Sequence, residues 1–206
     1  MRPPRGGTVT RLGAAAMALL ALLVAGCRTP AGTGAVSPPT ADRTGAAPAQ
    51  TAPGVGDSGD PAAVGKPAPD FAVTDIDGVS HSLKDYKGRV VAIEFWATYC
   101  KDCTKRLREY ESIYQANKRN GVDFLALASD TDDTVIKGWR EVNAVTIPLA
   151  RMDERTRVAF FGPAQFVTIP QTRIADCQGI IRYVLGPDST SAEVESAIKT
   201  LLAEMK

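Results

Sequence analysis

Two cysteines separated by two residues, Cys100 and Cys103, are the part of this sequence best suited to chemistry. At this spacing two thiols can close a disulfide within one helical turn, and a thiolate from the pair can attack the disulfide of another molecule. The same spacing supplies half of a tetrahedral zinc site, which needs two further Cys or His ligands. Because only His81 and Cys177 are available for that purpose, thiol–disulfide exchange is favoured over a zinc site or a purely structural disulfide.

The pair is placed between a buried strand and a helix. Residues 89–96 form a nearly continuous apolar run, which is typical of a strand covered on both faces, and Glu94 is its one charged interior residue. Residues 100–119 carry apolar side chains at helical spacing, and the following Asn-Gly is a helix stop. Cys100 is therefore expected at a helix N-terminus, where unpaired N–H groups and about half a unit of positive charge stabilise a thiolate.

The two cysteines are expected to have different roles. Cys100, the N-terminal and more exposed member, should be the nucleophile, and Cys103, one turn inward, should resolve the mixed disulfide. Lys101 favours the thiolate of Cys100 and Asp102 opposes it, so the sequence leaves the net shift of the thiol pKa open.

The remaining pattern alternates strands and helices. It predicts an N-terminal hairpin at 71–74 and 79–83, strands at 122–128, 146–149, 172–175 and 180–185, and a helix over 154–161. The acidic cluster at 130–133 offers caps to a helix that carries Val135, Ile136 and Trp139. A capping box of Thr190 and Glu193 begins a last helix, which contains Val194, Ile198, Leu201 and Leu202. After the hairpin the order is βαβαβαββα, which predicts an α/β fold with a central mixed sheet and helices on both faces.

Three segments carry a resemblance to a known family. They are 65–71 (Gly-Lys-Pro-Ala-Pro-Asp-Phe), the run 95–98 (Phe-Trp-Ala-Thr) before the pair, and Ile169-Pro170 before a hairpin. With these motifs, residues 65–206 resemble the thioredoxin superfamily, and within it the membrane-anchored TlpA/ResA-like branch. The chain departs from that pattern at Tyr99, where the family usually has Trp, and at Asp102, where it usually has Pro.

The resemblance implies a thioredoxin-like fold with an N-terminal β-hairpin extension and a redox-active disulfide in place of any cofactor. It also implies that Pro170 is cis and that the backbone of Ile169 pairs with substrate. Trp96, Tyr99 and Lys101 are candidate substrate-binding residues beside the pair, although packing is the favoured role for Trp96 and Tyr99.

The resemblance further makes Glu94 a proton acceptor for Cys103. In the pleat Glu94 shares one face with Val90, Ala92 and Trp96, so it should be desolvated and its pKa raised. The alternative is a carboxylate that reaches solvent or pairs with a lysine.

The first residues are typical of an exported protein. Three arginines precede an apolar run at 12–25, as in a secretory signal, and residues 24–27 resemble a lipobox that ends in the acylated Cys27. Residues 1–26 are thus predicted to be a lipoprotein signal peptide. Residues 27–64 are rich in Ala, Pro and Gly and are predicted to be a disordered tether with a reach of roughly 35 Å. The folded domain is predicted over 65–206.

These observations predict an extracytoplasmic, membrane-anchored lipoprotein of the cell envelope that catalyses thiol–disulfide exchange in cell redox homeostasis. The resemblance and an oxidising compartment favour the reducing direction, with electrons from a membrane thiol donor to disulfide-bearing proteins such as apocytochrome c or oxidase copper-site subunits. The formal charge of +1 gives no reason to expect nucleic acid.

Two other functions are weighed. A peroxiredoxin-like peroxidase would carry Pro and Thr seven and three residues before the cysteine, where this chain has Ile93 and Ala97. A copper(I) chaperone is disfavoured by the absence of a nearby Met or His. His81 is expected at the surface, and Cys177, on the order of 20 Å along a strand from Pro170, is expected to be a spectator thiol.

Overall fold

The computed structural model of the chain describes residues 60–163 and 166–205. The predicted signal peptide, Cys27 and most of the predicted tether lie outside the described residues. None of the helices within the described ranges is both long and apolar enough to cross a membrane.

The described chain begins with a hairpin and continues with alternating strands and helices. The strands are β1 (Ala72–Thr74), β2 (Ser80–Ser82), β3 (Val90–Trp96), β4 (Val122–Ala128), β5 (Leu149–Arg151), β6 (Gln171–Ala175) and β7 (Ile181–Leu185). The helices are α1 (Lys101–Asn117), α2 (Asp133–Asn143), α3 (Glu154–Phe161) and α4 (Ser191–Glu204). Two short 3₁₀ turns occupy Leu83–Tyr86 and Lys118–Asn120. The predicted order of elements after the hairpin is confirmed.

The central sheet has the order β5-β4-β3-β6-β7, and β1 and β2 form a separate antiparallel pair. β3 runs parallel to β4 and antiparallel to β6, so the predicted mixed sheet is confirmed. All seven residues of β3 are buried, as the continuous apolar run predicts. Its carboxyl end leads directly into the loop that carries Cys100.

Helices cover both faces of this sheet. On one face, which we call the redox face, α1, α2 and α4 enclose a core that includes Trp96, Cys103, Ile136 and Ile198. On the other, the aromatic face, α3 and the N-terminal hairpin pack through phenylalanines at 71, 95, 160 and 161. Burial of each such side chain contributes about 1.5–3 kcal/mol.

One strand lies later in the chain than the sequence predicts. The apolar run at 146–149 indicated a strand, but pairing with β4 begins at Leu149. The backbone N–H groups of Thr146 and Ile147 donate instead to the carboxylate of Glu111, at 2.8 and 3.1 Å. Because Pro148 has no N–H to donate, the segment before Leu149 is held by a side chain rather than by the sheet.

The folded part also begins earlier than predicted. Ala62 is fully buried, and the buried Asp60 accepts a hydrogen bond of 2.9 Å from Arg173. The prediction that 60–64 belongs to the tether is therefore wrong. Composition alone misplaced the boundary because the ion pair joins residues more than a hundred positions apart.

Candidate active site

Cys100 is the N-cap residue of α1, and its sulfur accepts the backbone N–H of Cys103 at 3.2 Å. The two cysteines are bonded to each other, with Cα atoms 5.2 Å apart. Cys100 is partly exposed, whereas Cys103 is completely buried. A substrate can therefore reach only Cys100, which is the arrangement expected for a nucleophile and a resolving cysteine.

The loop before Cys100 is fastened to the strand beside it. Thr98 donates its backbone N–H and its hydroxyl to the carboxylate of Asp130, at 2.9 and 2.5 Å. The backbone N–H of Ser129 donates to the carbonyl of Trp96 at 2.9 Å. The sequence predicts Asp130 only as a possible helix cap, a role that Asp132 fills. Its position after a strand parallel to β3 was the available signal, because parallel strands end at the same sheet edge.

The candidate substrate-binding residues differ in accessibility. Tyr99 is 74% exposed and Lys101 lies on the exposed first turn of α1. Ile169 is partly buried, and the Ile169–Pro170 peptide bond is cis, as the resemblance implies. Trp96 is fully buried and packs against Trp139 with ring centroids 4.7 Å apart, so it is a packing residue and does not contact substrate in this conformation.

Glu94 lies in the interior of the redox face with 1% exposure. Its Oε2 accepts a hydrogen bond of 2.5 Å from the hydroxyl of Thr172, which in turn lies 2.9 Å from the hydroxyl of Tyr110. Oε1 makes no hydrogen bond with any described residue. Burial raises the pKa of Glu94 to about 8, and the Thr172 hydrogen bond and the charge of Arg106 oppose that rise. The carboxyl does not reach solvent, and it pairs with no lysine in the part of the chain that the structure describes.

Arg106 is a buried cation that the sequence analysis missed. Its Nη2 donates to the carbonyls of Gly186, Pro187 and Ser189, at 3.1, 2.7 and 2.5 Å. It follows Cys103 by three residues, which places both on the buried side of α1. That spacing was the only signal in the sequence, and it was hidden among the exposed basic residues of the same helix.

Two expectations concern residues away from the pair. His81 is partly buried rather than fully exposed, because it lies between Asp75, 2.8 Å from its Nε2, and the Tyr86 hydroxyl, 3.1 Å from its Nδ1. Cys177 has no role that the described residues establish, and its spectator role stays a prediction. It is not linked to the active pair, since Cys100 and Cys103 bond each other. The predicted separation between Cys177 and the active site excluded a disulfide with Cys100 or Cys103 only.

The sequence and the fold are both similar to those of known proteins. The sequence model of the AhpC/TSA family matches residues 64–184, more than half of the chain. The chain belongs to the AhpC/TSA family.

Curated relatives within this match carry the name thiol-disulfide oxidoreductase ResA. The chain is 30% identical to that of Bacillus anthracis over 139 residues, covering 67% of this chain and 78% of the relative. It is 29% identical to that of Geobacillus kaustophilus over 141 residues, covering 68% and 78%.

Solved structures show the same fold. A thioredoxin family thiol:disulfide interchange protein from Chlorobium tepidum superposes with a TM-score of 0.62 at 22% identity, covering 68% of this chain and 98% of that protein. The thioredoxin-like fold is thereby confirmed. With the bonded Cys100–Cys103 pair, these relatives identify this AhpC/TSA family member as a thiol–disulfide oxidoreductase.

Proposed function

We propose that this oxidoreductase works outside the cytoplasm and reduces disulfides in envelope proteins, using electrons from a membrane thiol donor. The observation that carries the chemistry is a disulfide at the start of α1 with only one sulfur within reach of another protein. The helix N-terminus provides the unpaired N–H groups that favour a thiolate at Cys100. Lowering a thiol pKa from 8.5 to near 7 corresponds to about 2 kcal/mol of such stabilisation.

The reaction starts from the reduced pair. The Cys100 thiolate attacks one sulfur of the substrate disulfide, forms a mixed disulfide and releases one substrate thiolate, which takes a proton from water. The Cys103 thiol then loses its proton, and its thiolate attacks the sulfur of Cys100. The Cys100–Cys103 disulfide forms, the second substrate thiolate leaves, and two electrons have passed to the substrate.

Glu94 is the group we assign to the Cys103 proton. It lies on the same face of the sheet as the buried Cys103, and its Oε1 is without a hydrogen bond from the described residues. With a pKa near 8 the carboxyl can take and return a proton close to neutral pH.

The location and direction rest on several supports. The N-terminal sequence has the pattern of a lipoprotein signal, and envelope compartments are oxidising, so a reductant has disulfides to act on. The relatives from Bacillus and Geobacillus are named thiol-disulfide oxidoreductase ResA. Extracytoplasmic proteins with reactive cysteine pairs, among them apocytochrome c and copper-site subunits of an oxidase, are the substrate class that the family resemblance suggests.

The chemistry is tested with reduced protein in a coupled insulin-reduction assay. Wild type should turn over, and Cys100→Ser should abolish turnover because a hydroxyl has a far higher pKa than a thiol. Cys103→Ser is the matched variant and should accumulate the mixed disulfide instead of releasing it. Turnover by Cys100→Ser would refute the assignment.

The anchor is tested by cell fractionation. Cys27→Ser should release the full-length protein from membranes, because acyl chains are the proposed anchor after signal cleavage. Sedimentation of this variant with membranes would indicate an uncleaved N-terminal segment instead.

A further inference from the structure

Four polar residues lie together on the redox face: Glu94 and Thr172 from the sheet, and Arg106 and Tyr110 from α1. They are here called the Glu94 cluster. Thr172 lies directly opposite Glu94 in the register of β3 and β6. Arg106 and Tyr110 follow Cys103 on α1 by three and seven residues, so they share its buried side. The neighbour of Glu94 on β4 is Ala126, and the buried residues of α4 are apolar. Among the described residues, the charged or titratable groups around Glu94 therefore come from α1.

The hydrogen bonds of the cluster have a direction. A threonine hydroxyl has one proton, and Thr172 gives it to Oε2 of Glu94. In the bond between Thr172 and Tyr110, the tyrosine must then be the donor. Two hydroxyls in series thus point their protons toward one carboxylate oxygen. They stabilise the ionised form and leave Oε1 as the oxygen available to an incoming proton.

Arg106 adds a fixed positive charge without pairing with Glu94. Three backbone carbonyls of the β7–α4 connection hold its Nη2, so its position is set by the backbone of the fold. Its Nη1 is buried without a hydrogen-bond partner among the described residues. Burial raises the pKa of Tyr110 and the nearby Glu94 raises it further, whereas Thr172 and Arg106 act against the rise. The positive charge of Arg106 therefore favours the ionised forms of both Glu94 and Tyr110.

We propose that Arg106 is a positioning residue for resolution of the mixed disulfide, acting with Tyr110 and Thr172 to keep the buried Glu94 carboxyl ionisable. This inference rests on the proposed function and deepens it. In the step concerned, Oε1 of ionised Glu94 takes the proton of the Cys103 thiol, the resulting thiolate bonds to the Cys100 sulfur, and the substrate thiolate leaves. Glu94 returns the proton to solvent or to a thiolate when the pair is next reduced.

The test combines two measurements on the full chain. Carbon-13 NMR of labelled glutamate carboxyls gives the titration midpoint of Glu94 in the reduced protein. Resolution is followed by the release of thionitrobenzoate from a mixed disulfide preformed on Cys100, which needs no protein substrate. Arg106→Met should raise the Glu94 midpoint by about one pH unit, a tenfold weaker acid, and should move the pH profile of resolution upward by the same amount. Arg106→Lys should restore part of the shift, since it keeps the charge but not the planar donor set.

Two further variants test the same cluster in case Arg106→Met does not fold. Thr172→Val, which keeps the side-chain shape, and Tyr110→Phe should move both readouts in the same direction, Thr172→Val by more. The matched controls are Arg108→Met, an exposed arginine of α1, and Tyr114→Phe, a tyrosine one turn beyond the cluster. Both controls should leave the Glu94 midpoint and the resolution profile unchanged.

The outcomes separate this inference from the proposed function. If Thr172→Val and every folded Arg106 variant keep the wild-type Glu94 midpoint, the inference is overturned. It is also overturned if the midpoint moves while the resolution profile does not, because the cluster would then be structural. Failure of the wild type to reduce insulin would count against the proposed function alone, since thionitrobenzoate release is independent of any protein substrate.

Discussion

Two charged side chains are buried in the same sheet, one on each face, and they differ in their partners. On the aromatic face Arg173 is 2% exposed, bonds Asp60 at 2.9 Å and lies over the ring of Phe161. On the redox face Glu94 is equally buried, but its only hydrogen-bond partner among the described residues is a hydroxyl. Thr172, which supplies that hydroxyl, and Arg173 are consecutive residues of β6.

The difference lies in what each charge can do. Arg173 is paired with the carboxylate of Asp60, which precedes the N-terminal hairpin. The ion pair therefore connects two segments that are distant in sequence. Burial lowers the pKa of Arg173 and Asp60 opposes the change, but a guanidinium stays protonated in proteins. Glu94 has no counter-ion in contact among the described residues, and burial raises its pKa to about 8, where its charge can change. A paired buried charge is structural, whereas an unpaired buried carboxyl can exchange a proton.

The largest effect expected from this contrast is kinetic. Glu94→Gln should slow resolution of the mixed disulfide by about 10²- to 10⁴-fold, the usual contribution of a positioned proton acceptor, while attack by Cys100 stays nearly intact. Mixed disulfides should therefore accumulate in stopped-flow experiments. Wild-type resolution rates in the variant between about pH 6 and pH 9 would show that the carboxyl is structural.

The second effect concerns stability as a function of pH. The folded-state pKa of Glu94 is about 8 and its ordinary value is 4.5, so the protonated carboxyl favours the native state below pH 4.5. This contribution is lost as the pH rises from 4.5 through 8, and the full loss is about 5 kcal/mol. Urea denaturation should show that Glu94→Gln lacks this decline.

The exposed Glu141 on α2 supplies the control for that experiment. Glu141→Gln should retain the wild-type decline of stability with pH. An identical pH dependence in Glu94→Gln and wild type would mean that the folded protein ionises Glu94 as readily as the unfolded chain does.

The third effect belongs to the aromatic face. Asp60→Ala leaves a buried guanidinium without its counter-ion and should lower the free energy of unfolding by about 3 kcal/mol. Chemical denaturation measures that loss. The pH profile of resolution should be the same as in wild type, because Asp60 is not in contact with Glu94. A changed pH profile of resolution in Asp60→Ala would show that the Asp60–Arg173 pair also influences the redox reaction.

Features set by local pattern were predictable from the sequence. The buried run of β3, the capping box of α4 at Thr190 and Glu193, and Cys100 at the start of α1 follow from neighbouring residues, and the structure has them where expected. The partners of Glu94 were not predictable. Thr172 is 78 residues away in sequence, and it meets Glu94 only through strand order and register.

The same reason explains the misplaced elements. The start of β5 depends on Glu111 from α1, and the start of the folded region depends on Arg173 from β6. The residues next to Glu111 and Arg173 in sequence do not indicate which distant groups these two side chains contact. The part of the site that was predicted is the cysteine pair itself, whose chemistry is contained in four consecutive residues.

The contact between Trp96 and Trp139 has a practical consequence. These are the two tryptophans of the whole chain, their rings lie 4.7 Å apart, and Trp96 belongs to the same buried core as Cys103. All indole fluorescence of the protein therefore originates in or against the buried core that contains Cys103. The unlabelled enzyme contains its own optical reporter, whose emission can be followed in real time as the disulfide opens and closes.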